Sequence, residues 1–122
     1  MQQEVSNGCQ QICKLDKLKR SKTLGFTYFD KGEKLAGFLV YNNGEVYAYK
    51  NSCPHVGVEL NWQPDQFLSF DGFSIQCSLH GAQFRIKDGF CHSGPCSGKS
   101  LKVIKVAICG ENVIICTSDK KK

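Results

Sequence analysis

A chain of 122 residues, 41% apolar and 22% charged, has the size and balance of one globular domain, with room for a core but not for two domains. It has no apolar run approaching the roughly eighteen residues of a membrane span, and its N-terminus "MQQEVSNGCQQICKL" lacks the basic and apolar regions of a secretory signal, so a cytoplasmic protein is expected. The net charge of +5 is modest, and the basic residues sit in "KLDKLKRSK" (14–22) and at Lys120-Lys121-Lys122 rather than along one periodic face, which reads as a solvated segment and a tail and argues against nucleic acid as a partner.

Taken in chain order, the sequence is nearly all strand and turn. "QICKL" (11–15) alternates briefly, and "LGFTYF" (24–29) is aromatic and β-branched before a turn at Asp30-Lys31-Gly32. "LAGFLVY" (35–41) and "EVYAYK" (45–50) flank Asn42-Asn43-Gly44, whose Asn-Gly pair signals a hairpin. "PDQFLSF" (64–70) is the one stretch expected to form a helical turn. "FSIQC" (73–77), "AQFRI" (82–86) and "FCH" (90–92) follow, separated by turns at Asp71-Gly72 and Lys87-Asp88-Gly89. "LKVIKVAI" (101–108) and "VIICT" (113–117) then flank Gly110-Glu111-Asn112, a second hairpin. Short strands at close spacing with glycine-rich turns predict one all-β domain, an antiparallel sandwich or barrel, over 11–118. Residues 1–10 are expected to be a flexible segment and 119–122 a basic tail.

Eight cysteines require an explanation. Without an export signal they read as thiols or metal ligands rather than as a disulfide framework. Two of the three histidines stand beside cysteines, in Cys53-Pro54-His55 and Cys77-Ser78-Leu79-His80. Each motif follows an expected strand and opens a loop. Residues two apart in an extended segment project to one side, and a tight turn brings residues three apart together. Two ligands from each of two loops make a four-donor site.

Zinc accepts two cysteines and two histidines, so a structural zinc site is one reading. Zinc fingers, however, pair like with like, and here each corner is mixed. Mixed corners suit a binuclear iron site in which one iron takes both thiolates and the other both imidazoles. Gly57 and Gly81, just beyond the ligands, allow close backbone approach to bridging sulfides.

These motifs, with Phe84, Gly89 and Gly94-Pro95, resemble the Rieske [2Fe-2S] domain family, and the resemblance runs from about Ile12 to Thr117. It implies an all-β domain with a small cluster-binding subdomain formed by two loops. It also implies one [2Fe-2S] cluster held by Cys53, His55, Cys77 and His80, with the cysteines on the buried iron and the histidines on the outer one. The segment "SGPCSGK" (93–99) matches the proline loop that covers such clusters.

Departures within the family are informative. The cytochrome bc type carries a further cysteine in each cluster loop, forming a disulfide; Val58 and Leu79 stand there instead. The hydroxyls of a Ser and a Tyr that bond cluster sulfur in that type are replaced by Ala82 and Phe84. Such hydrogen bonds stabilise added negative charge, so their loss places the potential toward the low end of a range of roughly −150 to +300 mV. This resembles the soluble Rieske-type ferredoxins that serve oxygenases.

The expected function is that of a one-electron carrier between a reductase and an oxygenase or other acceptor, and not an enzyme by itself. An oxygenase would need a further domain with mononuclear iron, for which only His92 is left over. A redox-sensing module and the small Rieske subunit of a multi-subunit reductase are the alternatives. His92 reads as a strand-end histidine, and Cys91 and Cys96 as small thiols flanking the Gly-Pro turn. Cys9, Cys13, Cys109 and Cys116 read as strand or tail cysteines without a partner, and Trp62 as an anchor for the first cluster loop. The tyrosines are placed in the core or on sheet faces. Val56, Leu79, Gln83 and Pro95 are expected to rim the docking surface.

Overall fold

The computed structural model describes residues 9–30, 32–52, 59–61, 65–69, 71–77, 81–94 and 97–116. Among the described residues nine strands and one short helix follow in order: β1 (Cys9–Lys14), α1 (Leu15–Ser21), β2 (Thr23–Asp30), β3 (Glu33–Asn42), β4 (Glu45–Lys50), β5 (Ser74–Gln76), β6 (Gln83–Arg85), β7 (Cys91–Ser93), β8 (Lys105–Cys109) and β9 (Asn112–Cys116). They form three antiparallel three-stranded sheets, ordered β1-β9-β8, β2-β3-β4 and β5-β6-β7. The expected all-β class holds, and among the described residues no helix is long and apolar enough to cross a membrane.

The middle sheet has a core on each face because β3 and β4 are apolar on both. Successive side chains point to opposite faces of a strand. Phe38, Val40, Tyr47 and Tyr49 therefore pack with Leu60, Phe67, Cys77 and the β5-β6-β7 residues Ile75, Phe84 and Cys91. Leu39, Tyr41, Val46 and Ala48 turn the other way, to Leu18, Val113 and Ile115. Phe38 stacks on Phe67 with centroids 4.3 Å apart, and this contact fastens the loop before β5 to the middle sheet.

The hairpins follow their turn chemistry. Asn43 and Gly44 both adopt positive φ, 53° and 81°, between the paired Asn42 and Glu45, as a two-residue turn matched to strand twist requires. The second hairpin turns on Gly110-Glu111 with Cys109 opposite Asn112.

Four expectations are corrected. The basic segment 14–22, whose lysines and arginine are exposed as expected, contains α1 where only strand and turn were expected. Asp16 lies in its first turn and Lys19 and Arg20 in its last, which suits the helix dipole, and fully buried Leu18 anchors it in the second core. The helical turn expected at 64–70 does not form over the described residues 65–69. Leu68 bridges Ile75, while Phe67 and Ser69 exchange backbone bonds with Gln76 and Ser74, so pairing with β5 draws the segment out straight. The run 101–108 divides between two partners. Lys102, Val103 and Ile104 lie along β4, and pairing with β9 begins at Lys105. Finally, β1 starts at Cys9, and Cys9 is joined to Cys116 by a disulfide across β1 and β9, closing a separation of 107 residues. Strand pairing sets these two cysteines directly opposite one another, which sequence spacing could not reveal.

Candidate metal centre

Of the four expected ligands, Cys77 lies within the described residues, while Cys53, His55 and His80 lie outside them, as do Gly57, Val58, Trp62, Leu79, Pro95 and Cys96. Among the described residues no group of three His, Cys, Asp or Glu side chains converges on a metal position. What the structure gives is the frame that flanks the two expected ligand loops.

The second loop leaves β5 at Cys77, which is 1% exposed and part of the first core. Its backbone N–H donates to the Ala82 carbonyl at 2.8 Å, and Gly81 N–H donates back to the Cys77 carbonyl at 3.0 Å. Gly81 takes φ of +73°, a region that a side chain disfavours, and so returns the chain into β6. Cys77 and Gly81-Ala82 are thus tied together by backbone bonds at the base of this loop. Ala82 and Phe84, the positions without hydroxyls, are both fully buried beside it.

The first loop leaves β4 at Asn51 and rejoins the described chain at 59–61. Asn51 N–H donates to the Ala36 carbonyl at 2.9 Å, which extends the β3–β4 ladder by one bond. Its side-chain Oδ1 accepts from Leu60 N–H at 2.7 Å, and its Nδ2 donates to Asn61 Oδ1 at 2.9 Å. Downstream, Asp65 holds the segment to β2: its carboxylate accepts from Gly25 N–H at 2.7 Å, and its carbonyl accepts from the Thr23 hydroxyl. The sequence reading passed over both Asn51 and Asp65. For Asn51 the signal was present, an amide side chain directly after a strand and two residues before Cys53, but its partners at 60–61 were not visible.

A third segment approaches from β7. Gly94 adopts φ of +101° and packs on the Ala82 backbone, and Ser97 and Gly98 donate back to the Gly94 and Cys91 carbonyls. This brings the start of the expected proline loop against the base of the second ligand loop. Cys91 is buried, and its thiol donates to the Ser93 carbonyl at 3.2 Å. His92 is exposed on β7, with Nε2 3.2 Å from the Ser74 hydroxyl. Gln83 is half-buried in β6.

The turns of this sheet carry the nearby charge. Asp88 is held below the usual carboxylate range first by its bond from Arg85, at 2.7 Å, and then by Phe90 N–H. Asp71 is lowered by the Ser69 hydroxyl and by Phe73 N–H. Burial pushes the Tyr49 phenol well up, Asp88 and Tyr47 adding to the effect, and its hydroxyl donates to the Ile86 carbonyl at 2.6 Å.

The residues suit an iron–sulfur group. Two thiolates and two imidazoles are its donor set. Cys77 is shut away from water, and the frame around it is closed by backbone bonds and by the glycines Gly81 and Gly94.

Comparison with known proteins agrees. The Rieske [2Fe-2S] domain family matches residues 8–108. The biphenyl dioxygenase ferredoxin subunit of Pseudomonas sp. (strain KKS102) is 28% identical over 103 residues, covering 84% of this chain and 86% of that protein. Among solved structures, the ferredoxin of carbazole 1,9a-dioxygenase from Nocardioides aromaticivorans IC177 superposes with a TM-score of 0.69 at 20% identity, over 89% of this chain and 97% of that one. The terminal oxygenase from the same organism superposes with a TM-score of 0.71 at 24% identity, over 94% of this chain but 31% of that one. At these identities the solved structures speak for the fold.

Proposed function

The chain belongs to the Rieske [2Fe-2S] domain family, and from that premise we infer that it is a one-electron carrier that takes an electron from a reductase and delivers it to an oxygenase. The observation that carries this reading is the extent of the likeness to a dedicated carrier, since 86% of the biphenyl dioxygenase ferredoxin subunit is matched. Bound in this frame, the [2Fe-2S] cluster supplies a single one-electron step.

In this reading Cys53 and Cys77 hold one iron and His55 and His80 the other. Cys77, buried at the end of β5, belongs on the inner side. The imidazoles then form the outward edge through which partners exchange electrons, rimmed by Val56, Leu79, Gln83 and Pro95. Neutral imidazoles leave the oxidised site without net charge and the reduced site with one negative charge, where an all-cysteine site would reach three. Ala82 and Phe84 offer no hydroxyl, and Tyr49, the fully buried tyrosine nearby, spends its own on Ile86. A potential low for this family follows.

The test is anaerobic purification followed by visible and EPR spectra of the reduced protein, then reduction by a flavin reductase and transfer to a Rieske oxygenase. A red-brown protein with a histidine-ligated [2Fe-2S] signal that turns over in that relay is the expected result. A colourless, zinc-containing protein would overturn it.

A further inference from the structure

The two ligand loops are closed by different means. The second is tied by backbone bonds between Cys77 and Gly81-Ala82. The first has flanks at Asn51 and Leu60, nine positions apart, and among the described residues the link across it runs through the Asn51 side chain. We propose that Asn51 is a positioning residue for the cluster, its carboxamide setting the span of the first loop and thereby the stance of Cys53 and His55. The inference rests on the reading that those two residues are ligands.

Asn51 is fixed on one side by its backbone bond to Ala36, and Leu60 on the other by complete burial in the first core. The carboxamide joins these two fixed points as acceptor from Leu60 N–H and donor to Asn61. At 8% exposure, water cannot readily replace either bond. The clasp needs a donor and an acceptor on one short, flat group, which asparagine has. Alanine leaves the Leu60 N–H and the Asn61 oxygen without these partners. Aspartate keeps the acceptor for Leu60 and meets Asn61 again if that amide rotates to donate. Residues that orient metal ligands from behind typically change metal affinity by about 10–100-fold when removed.

The test compares cluster-loaded wild type with Asn51→Ala, Asn51→Asp and Asn61→Ala. A control, Val113→Ala, removes volume from the other core, where Val113 is fully buried. Two quantities are read: the rate of iron release to EDTA, set against thermal stability, and the EPR line shape of the reduced protein. Asn51→Ala is expected to release iron at least about tenfold faster with an altered line shape. Asn61→Ala should fall between it and wild type, and Asn51→Asp should return toward the wild-type rate. Val113→Ala should lower the melting temperature and leave the line shape untouched. If Asn51→Ala does not fold, the ordering of Asn61→Ala and Asn51→Asp decides. Release no faster than in Val113→Ala at equal stability, with an unchanged line shape, overturns the proposal. A wild-type protein that takes up no cluster overturns the functional reading with it.

Discussion

Gly94 stands so close to Ala82 that a Cβ added to Gly94 would lie 2.6 Å from the Ala82 Cα and 3.2 Å from its nitrogen. The obstacle is backbone, so it cannot rotate aside, and Gly94 also sits at φ of +101°. Contact and conformation both demand glycine here. Gly94→Ala should cost about 2–4 kcal/mol from overpacking and backbone strain. The loss should appear in denaturant unfolding and be accompanied by weaker cluster retention, because Ala82 closes the second ligand loop. Gly110→Ala, at φ of +64° with open space around it, should cost less and leave the cluster alone. Equal costs at the two sites would show that close approach at Ala82 is unimportant.

Tyr49 joins the middle sheet to the turn after β6 through its bond to the Ile86 carbonyl. Tyr49→Phe leaves that carbonyl unpaired inside the protein and should cost about 1–3 kcal/mol. A pH signature accompanies it. The folded phenol is raised above its ordinary 10.0 mainly by burial, so above that pH the unfolded chain releases a proton that the folded chain keeps. Stability is therefore full below pH 10 and falls as pH rises beyond it, by up to about 1.4 kcal/mol per pH unit for one proton. Tyr28, raised by burial and by Asp30, acts in the same direction. Urea midpoints between pH 8 and 11 should fall less steeply in Tyr49→Phe, and parallel slopes would exclude Tyr49 as the source.

What could be read from the sequence was what local chemistry determines. Asn43-Gly44 announced a hairpin because its turn needs positive φ at both positions, and the structure has it. The alternating runs gave the strands, and the second expected ligand motif begins at a strand end, with Cys77 directly after β5. What escaped depends on remote partners. Helix α1 spans seven residues and is seated by Leu18, too little for helical periodicity to register. The stretch before β5 looked helical but is held extended by β5 itself. Asn51 has no visible role until Leu60 and Asn61 are brought to it.

The Cys9–Cys116 disulfide is another remote pairing, and its effect is calculable. It joins the first strand of a sheet to its central strand, across 107 residues. A cross-link over so long a loop restricts the unfolded chain and is worth about 4–5 kcal/mol in the chain-entropy view. The Cys9→Ser, Cys116→Ser double variant should lose stability of that order and become insensitive to reductant. Wild type should show a lower melting temperature with dithiothreitol than without. Identical melting with and without reductant would mean the bond adds nothing to the fold.

Histidine ligation makes a prediction that zinc or all-cysteine binding does not. On the proposed reading His55 and His80 would each bind iron through one ring nitrogen and keep a proton on the other, and the more positive oxidised site would make that proton easier to lose. Once it is lost in the oxidised protein, accepting an electron also means accepting a proton. The potential should therefore be level near neutral pH and fall on the alkaline side, approaching about 59 mV per pH unit for one proton per electron. Phe84→Tyr supplies a separate lever. A hydroxyl added at this fully buried site beside the second ligand loop should raise the potential by stabilising the added negative charge, without moving the pH at which the fall begins. Voltammetry of both proteins across the alkaline range measures the two effects together. A potential flat from neutral to about pH 10 would remove His55 and His80 from the iron, whereas an unchanged potential in Phe84→Tyr would remove only the hydroxyl argument and leave the ligands in place.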